Sequence, residues 1–134
     1  MDKTLERALC EMQGNLFVMS GNDGYDSKTF ISHFMKSDIA KGLDSRFDFM
    51  QWAGKEYIYE KMHDEIPEAF KKNGKVYDNE VLYWIGYIYR KWHFLKNMSS
   101  KEIYKKASAD MMNRNYMGYH TVDVELALEW LMEE

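Results

Sequence analysis

The sequence predicts an all-α fold: a single domain, residues 1–134, with about six or seven helices around a central aromatic helix. Apolar residues recur at spacings of three and four along much of the chain, as on amphipathic helices. Residues that favour helix N-termini precede several of these stretches. No stretch shows the alternation of apolar and polar residues that is typical of a strand. The length of 134 residues suits one domain with one core.

The first half of the chain contains three predicted helices and one shorter helical segment. The first helix begins near the N-terminus and ends at the turn-forming segment SGNDG, residues 20–24. Asp26 is predicted to cap the second, short helix. The segment SDIAKGLDS predicts a further helical turn that breaks at Gly42. Residues 45–62 carry apolar side chains at helical spacing and predict the third substantial helix.

The aromatic helix follows a turn and a loop. Pro67 predicts the start of a short helical turn, because its missing N–H is harmless at a first helical position. The Asn-Gly pair at 73–74 predicts a loop, since no strand-like alternation flanks it. Asp78 is predicted to cap the aromatic helix, residues 79–97.

Three more helices are predicted after the aromatic helix. The SSKE segment forms a capping box, in which the Ser99 hydroxyl and the Glu102 carboxylate each accept a free backbone N–H. Ser108 caps the next helix, which ends around Gly118. Residues 122–132 form the last helix.

The aromatic helix carries rings on more than one side. The segment VLYWIGYIYRKWHF, residues 81–94, contains one broad core stripe, and Gly86 on the opposite side permits close approach of another backbone. A helix apolar nearly all round is typical of a buried central helix. Alternatively, part of the second side contacts a partner protein, because Tyr and Arg dominate binding hot spots. The candidate contact residues are Tyr83, Tyr87, Arg90, Lys91 and Phe94.

The segment SSKEIYKKASADMMNRNYMGYH has the outline of a DNA-binding helix-turn-helix. The residues that would contact phosphates or base edges are Lys101, Lys105, Lys106, Asn113 and Arg114, with Asn115 as an alternative to Asn113. Three features argue against this interpretation. Tyr104 is large for a tight helix crossing, the turn lacks glycine, and the second helix starts with apolar methionines. A solvated basic face on a helical hairpin explains the same residues.

Composition narrows the remaining function classes. The net charge of −4 argues mildly against general nucleic-acid binding, although residues 90–120 carry seven basic and two acidic side chains. Cys10 is the only cysteine, which fits a reducing compartment, and no apolar run reaches the ~20 residues of a membrane span. We therefore expect a cytoplasmic protein without a membrane partner.

No spacing of ligands or catalytic residues predicts a metal, a cofactor or a reaction, although distant residues of a helical fold can form an unrecognised enzyme site.

Four segments together resemble an uncharacterised family of small helical proteins from gut and oral Firmicutes. They are YDSKTFISHFMKS, FDFMQWAGKEYIYEKM, YWIGYIYRKWHF and SSKEIYKKA, and the resemblance covers about residues 25–132. Members often lie near genes for ADP-ribosyltransferase-like proteins, in loci suggestive of toxin–antitoxin pairs. The resemblance implies a neutralising or accessory partner and transfers no catalytic or binding residue.

The sequence therefore predicts a non-enzymatic protein-interaction module, antitoxin-like or immunity-like, that sterically covers another protein's working site. The expected partner is the product of a neighbouring gene, and self-association into a homo-oligomer stays open. A helix-turn-helix regulator that binds DNA is the first alternative, and an enzyme is the second.

Overall fold

The described part of the chain folds into α-helices joined by loops and two 3-10 turns. The computed structural model describes residues 2–45 and 49–134, apart from the Phe49 side chain. Within these ranges there are eight α-helices and no strand, so the all-α prediction is confirmed with one helix more than expected. The helices are α1 (Lys3–Asn22), α2 (Ser27–Met35), α3 (Asp38–Asp44), α4 (Lys55–Glu65), α5 (Asn79–Lys96), α6 (Ser100–Lys106), α7 (Ala109–Tyr119) and α8 (Val124–Glu133). The 3-10 turns are Phe49–Trp52 and Pro67–Ala69.

Helices α1 and α5 pack along their lengths in antiparallel directions. Gly14 lies beside Gly86, whereas Gly21, two turns later on α1, lies beside Leu82 on the preceding turn of α5. The glycines bring the two backbones into contact, and a Cβ added at Gly86 would lie 2.6 Å from the Gln13 carbonyl oxygen. The Gln13 side-chain amide also donates to the Gly86 carbonyl at 3.0 Å. The predicted close approach at Gly86 is confirmed, and α1 is the element that approaches.

Aromatic rings from three helices interlock in the core. The Phe17 ring of α1 meets Phe30 and Phe34 of α2 edge to face, with centroids 5.9 and 5.5 Å apart. The same ring meets Tyr89 of α5 at 6.4 Å. Such edge-to-face contacts suit the aromatic quadrupole and add to the stabilisation from burial. The Tyr89 hydroxyl donates to the Ala107 carbonyl at 2.6 Å, which joins this core to the end of α6.

The segment between α3 and α4 differs from its prediction. Gly54 has a φ of +81°, in the left-handed region, so a continuous helix across residues 45–62 is not formed. The described part consists of a 3-10 turn followed by α4, and residues 46–48 of the predicted helix lie outside the described ranges. The expected break at Gly42 is also absent, because α3 continues through it to Asp44.

Most of the predicted helix caps are present. The Asp26 carboxylate accepts the Thr29 N–H at 3.0 Å. Both hydrogen bonds of the capping box between Ser99 and Glu102 form, each at 3.1 Å. Ser108 accepts the Met111 N–H at 3.3 Å. Asp78 is the exception: it occupies the N-cap position of α5, but its side chain accepts no capping hydrogen bond.

Helix α5 contacts α6, α7 and α8 in addition to α1, so its surface is divided among several neighbours. Between the region covered by α1 and the region covered by α7, one strip of α5 is left partly open, and this strip forms the candidate site. None of the helices in the described ranges combines the length and the apolar character that crossing a bilayer would require.

Candidate functional site

The five side chains predicted to contact a partner do not share one surface. Tyr83, Tyr87, Lys91 and Phe94 are each partly exposed, whereas Arg90 is only 1% exposed. The expectation of an exposed Arg90 is therefore wrong. The reason is that α1 lies over the part of α5 where the backbones touch, one turn before Arg90.

The Arg90 guanidinium is the centre of a buried polar network. Its Nε donates to the Gln13 side-chain oxygen at 2.9 Å, Nη1 to the Asp44 carboxylate at 2.6 Å and Nη2 to the Ser100 hydroxyl at 3.2 Å. Asp44 also accepts the backbone N–H of Ser100 at 2.8 Å. A buried charge is tolerated when it is paired and hydrogen-bonded in this way. Arg90 therefore joins α1, α3, α5 and α6 and has a structural role.

An open apolar groove of about 600 Å³ runs beside α5. Its size and mainly apolar lining are typical of ligand-binding clefts. One wall belongs to α5, and the other comes from the end of α7 and the start of α8. The lining residues are Val18, Asn79, Glu80, Tyr83, Trp84, Tyr87, Ile88, Tyr116, His120, Val122 and Val124.

The first wall of the groove contains two tyrosines one helical turn apart. Tyr83 lies against Gly14 of α1, where an added Cβ would be 2.7 Å from its ring. The Tyr83 and Tyr87 rings are 6.0 Å apart and tilted by 39°. Burial is the main reason that the pKa of each phenol is raised, so both hydroxyls stay neutral at physiological pH and can donate hydrogen bonds.

The second wall is anchored by contacts between rings. Trp84 of α5 meets Tyr116 of α7 edge to face, with centroids 5.6 Å apart. The His120 ring stacks on Tyr116 at 4.1 Å, and its Nδ1 lies 2.6 Å from the Tyr116 carbonyl oxygen. These contacts hold three rings in fixed positions along the groove. A preformed aromatic surface loses little conformational freedom when a ligand binds.

The groove lining carries one carboxylate, Glu80, and no lysine or arginine. Within the described part of the chain, Glu80 takes part in no ion pair. Arg7 of α1 approaches the two tyrosines but is paired with Glu11 at 3.4 Å. The groove therefore presents ring surface together with a negative charge.

The predicted and observed sites overlap at two residues. Tyr83 and Tyr87 line the groove, whereas Lys91 and Phe94, further along α5, do not. Sequence analysis missed the residues contributed by α7, α8 and the loop between them. No local pattern identifies them, since they meet α5 only in the folded chain. Trp84 lies in the aromatic segment 81–94 but is not among the candidate contact residues, and it also lines the groove.

The residues predicted to contact DNA lie on α6 and α7. Lys101, Lys105, Lys106 and Arg114 are exposed and Asn113 is half-buried, whereas the alternative residue Asn115 donates to the Glu134 carboxylate at 3.0 Å.

The first turn of α7, which a DNA-reading helix would present to the groove of DNA, packs on the protein instead. Ala109 and Met112 are buried, and the Asp110 carboxylate accepts from Tyr77 at 2.6 Å and pairs with Lys28 at 3.0 Å. The basic side chains are thus accessible, but the first turn of α7 is packed against the protein and is not free to contact DNA.

The other histidines and carboxylates do not form a metal site within the described ranges: no three ligand-type side chains lie close enough together to hold an ion. His63 stacks on Phe70 at 3.6 Å, at the exposed end of α4. The groove itself contains a single histidine and a single carboxylate, His120 and Glu80.

Comparisons of the chain with protein-family models, with curated proteins and with solved structures find no match.

Proposed function

We propose that the chain is one helical bundle built around α5 and that it binds another protein through the aromatic groove. The observation that supports this proposal is the open strip of α5, where Tyr83, Trp84 and Tyr87 are partly exposed beside Tyr116 and apolar side chains of the α7–α8 region. Rigid aromatic residues in a preformed cleft are the usual anchors of protein interfaces. The core uses the remaining sides of α5.

The biological role that we propose is neutralisation of a partner in the cytoplasm, as in an antitoxin-like or immunity-like pair. The mechanism is steric: a partner segment fills the groove, and the bulk of the bundle covers the partner's working site. The resemblance to a family from toxin–antitoxin-like loci favours the product of a neighbouring gene as the partner. The role needs no chemistry from the groove and therefore no catalytic residue.

Affinity capture with matched variants tests this proposal. The wild-type chain, the double variant Trp84→Ala/Tyr87→Ala and the control Leu95→Ala are each used as bait, and bound proteins are identified. Leu95 lies on the same helix, is 40% exposed and does not line the groove. We expect the wild type and Leu95→Ala to recover the neighbouring gene product, and the double variant to recover at least tenfold less of it. Equal recovery on all three baits contradicts the proposal, provided that circular dichroism shows each to be folded.

DNA binding is a second candidate, favoured by the exposed cations Lys101, Lys105, Lys106 and Arg114. In the described part of the chain none of the four is in an ion pair. Fluorescence anisotropy with a labelled duplex, titrated with salt, separates the two functions. Affinity that falls steeply with salt and is weakened by Lys105→Gln/Lys106→Gln supports DNA binding, because phosphate contacts release counterions. No binding at low salt removes this candidate.

A further inference from the structure

We propose that the groove recognises a positively charged side chain: the partner inserts a lysine or arginine, flanked by apolar residues, between the aromatic walls and Glu80. This inference rests on the proposed function and specifies the chemistry of the partner segment. Three properties of the groove support it: its rings, its charge and its volume.

The rings provide the first argument. Tyr83, Trp84, Tyr87 and Tyr116 all line one groove, and two pairs of them are in direct ring contact. The face of an aromatic ring is negative, so a lysine or arginine group is attracted to it, most strongly to tryptophan. Several rings around one space form the arrangement that proteins use for organic cations.

The charges around the groove provide the second argument. Glu80 lines it, and Asp123 is the N-cap residue of α8, one position before the lining residue Val124. Neither carboxylate is in an ion pair with another residue of the described ranges. The lining contains no lysine or arginine, and Arg7, whose charge acts on the Tyr83 and Tyr87 phenols, is paired with Glu11 at 3.4 Å. The surface is therefore complementary to a cation.

The volume provides the third argument and specifies the occupant. A groove of about 600 Å³ is larger than one lysine side chain. Besides the rings, Glu80, Asn79 and His120, its lining is apolar and consists of Val18, Ile88, Val122 and Val124. A free small amine would leave this apolar surface exposed to water. A segment with a cation and neighbouring apolar side chains covers both parts of the groove, which favours a helix or loop of a partner protein.

The probes are three synthetic helical peptides with one leucine-rich face and with lysine, glutamine or glutamate at the other positions. Binding is followed by the NMR shift of the Trp84 indole N–H, which is assigned with the Trp84→Phe variant. We expect the lysine peptide to bind roughly three- to tenfold more tightly than the glutamine peptide, since one ring contact and one partly exposed ion pair are gained. The glutamate peptide should bind most weakly.

Two matched variants connect the preference to the groove. Glu80→Gln should reduce the advantage of the lysine peptide over the glutamine peptide, whereas Glu68→Gln, an exposed carboxylate outside the groove, should leave it unchanged. Equal affinity for the lysine and glutamine peptides, with no effect of Glu80→Gln, overturns the inference but leaves docking of an apolar segment intact. Absence of binding by all three peptides also overturns it.

A fourth probe, n-butylammonium, separates a protein segment from a free amine. We expect it to bind at least a hundredfold more weakly than the lysine peptide, because it leaves most of the apolar lining uncovered. Comparable affinity of the two probes would assign the groove to small organic cations and overturn the proposed occupant. Loss of partner capture by Trp84→Ala/Tyr87→Ala tests docking independently of charge, so failure of this inference and failure of the proposed function give different results.

Discussion

Arg90 shows how one side chain can join four helices. Its guanidinium is bound by Gln13, Asp44 and Ser100 and is 1% exposed. Replacement by alanine removes the opposite charge from the Asp44 carboxylate, which keeps only its hydrogen bonds from Ser100, and removes the donor to the Gln13 side-chain oxygen. We expect Arg90→Ala to lower the free energy of unfolding by roughly 3–5 kcal/mol, the usual cost of breaking a buried ion pair. Urea unfolding measures the change.

The control for Arg90 is its neighbour Lys91, which is partly exposed and in no ion pair of the described residues. Lys91→Ala should change the free energy of unfolding by less than about 1 kcal/mol. A loss that is as small for Arg90→Ala as for Lys91→Ala would show that the buried network contributes little to stability and would contradict the structural role of Arg90.

Cys10 gives a second test at the residue scale. Its side chain is fully buried, and this burial raises the pKa of the thiol from an ordinary value of 9.0 to about 12. Because the thiolate is the reactive form, we expect no reaction with Ellman's reagent at pH 8 until the protein is unfolded. An added cysteine at the exposed neighbouring position, Ala8→Cys, should react at once. Rapid modification of Cys10 in the native protein would contradict its placement.

The same pKa shift links Cys10 to stability at alkaline pH. The raised pKa means that the unfolded chain loses the thiol proton near pH 9, whereas the folded chain keeps it until about pH 12. The contribution of Cys10 is therefore fully present below pH 9 and is lost as the pH rises from 9 to 12. The variant Cys10→Ala should show a smaller decrease in stability over this window than the wild type.

At the scale of elements, the contact between α1 and α5 depends on Gly86. A Cβ there would lie 2.6 Å from the Gln13 carbonyl oxygen and 2.8 Å from the Gly14 Cα, and both are backbone atoms that cannot move independently of α1. We expect Gly86→Ala to destabilise the fold by about 1–3 kcal/mol, as overpacking does. The melting temperature, measured by circular dichroism, should fall.

Gly118 on α7 is the matched control for Gly86. An added Cβ at Gly118 meets nothing within 4 Å. Gly118→Ala should stabilise the protein by about 0.5–1 kcal/mol, because alanine reduces the freedom of the unfolded chain and favours helix. Opposite signs for the two glycines are the expected result. A stabilising Gly86→Ala would mean that α1 and α5 are further apart than described.

The start of α2 is held by Asp26, which also fixes the loop before α5. Its carboxylate accepts the backbone N–H groups of Thr29 and Lys75, at 3.0 and 2.8 Å, and the Thr29 hydroxyl at 2.6 Å. Asp26→Ala should cost about 1–2 kcal/mol, the upper range for an N-cap. Asp78→Ala should cost much less, because Asp78 has the same position on α5 without a capping hydrogen bond. Urea unfolding of both variants distinguishes them.

The ionisation of Asp26 makes the stability of the fold sensitive to acid. Burial opposes ionisation, but the hydrogen bonds from Thr29 and Lys75 outweigh it and lower the pKa of this carboxyl below its ordinary 3.8. A lowered pKa stabilises the fold above the unfolded value, and this contribution is lost as the pH falls below about 4 through the folded pKa. Asp26→Asn should therefore show a smaller loss of stability below pH 4 than the wild type.

For the whole molecule, the features that can be predicted from the sequence are those that depend on residues close together in the chain. The all-α class, the caps at Asp26, Ser99 and Ser108, and the close approach at Gly86 follow from local spacing and residue type. The helix break at Gly54 was missed, because a glycine at this spacing is also compatible with a continuous helix. The positive φ of Gly54 becomes evident only in the structure.

The candidate site was only partly predictable, because it depends on contacts between distant segments. Rings on the second side of α5 suggested a binding surface, but the sequence does not say which of them α1 covers. The approach of α1 buries Arg90 and leaves Tyr83 and Tyr87 at the edge. Tyr116 reaches the groove because α7 packs on α5, a contact that periodicity cannot predict.

The most direct test of the central claim is photo-crosslinking from the groove. Cys10 is buried, so a benzophenone maleimide should label only an introduced cysteine, at His120→Cys on the exposed rim of the groove or at Leu95→Cys outside it. Position 120 leaves the anchors Trp84 and Tyr87 in place. Each labelled protein is irradiated with the partner protein identified by capture. We predict a covalent product from position 120 and none from position 95. A product from position 95 alone, or none from position 120 while the complex still forms, would contradict the claim that the aromatic groove is the docking surface.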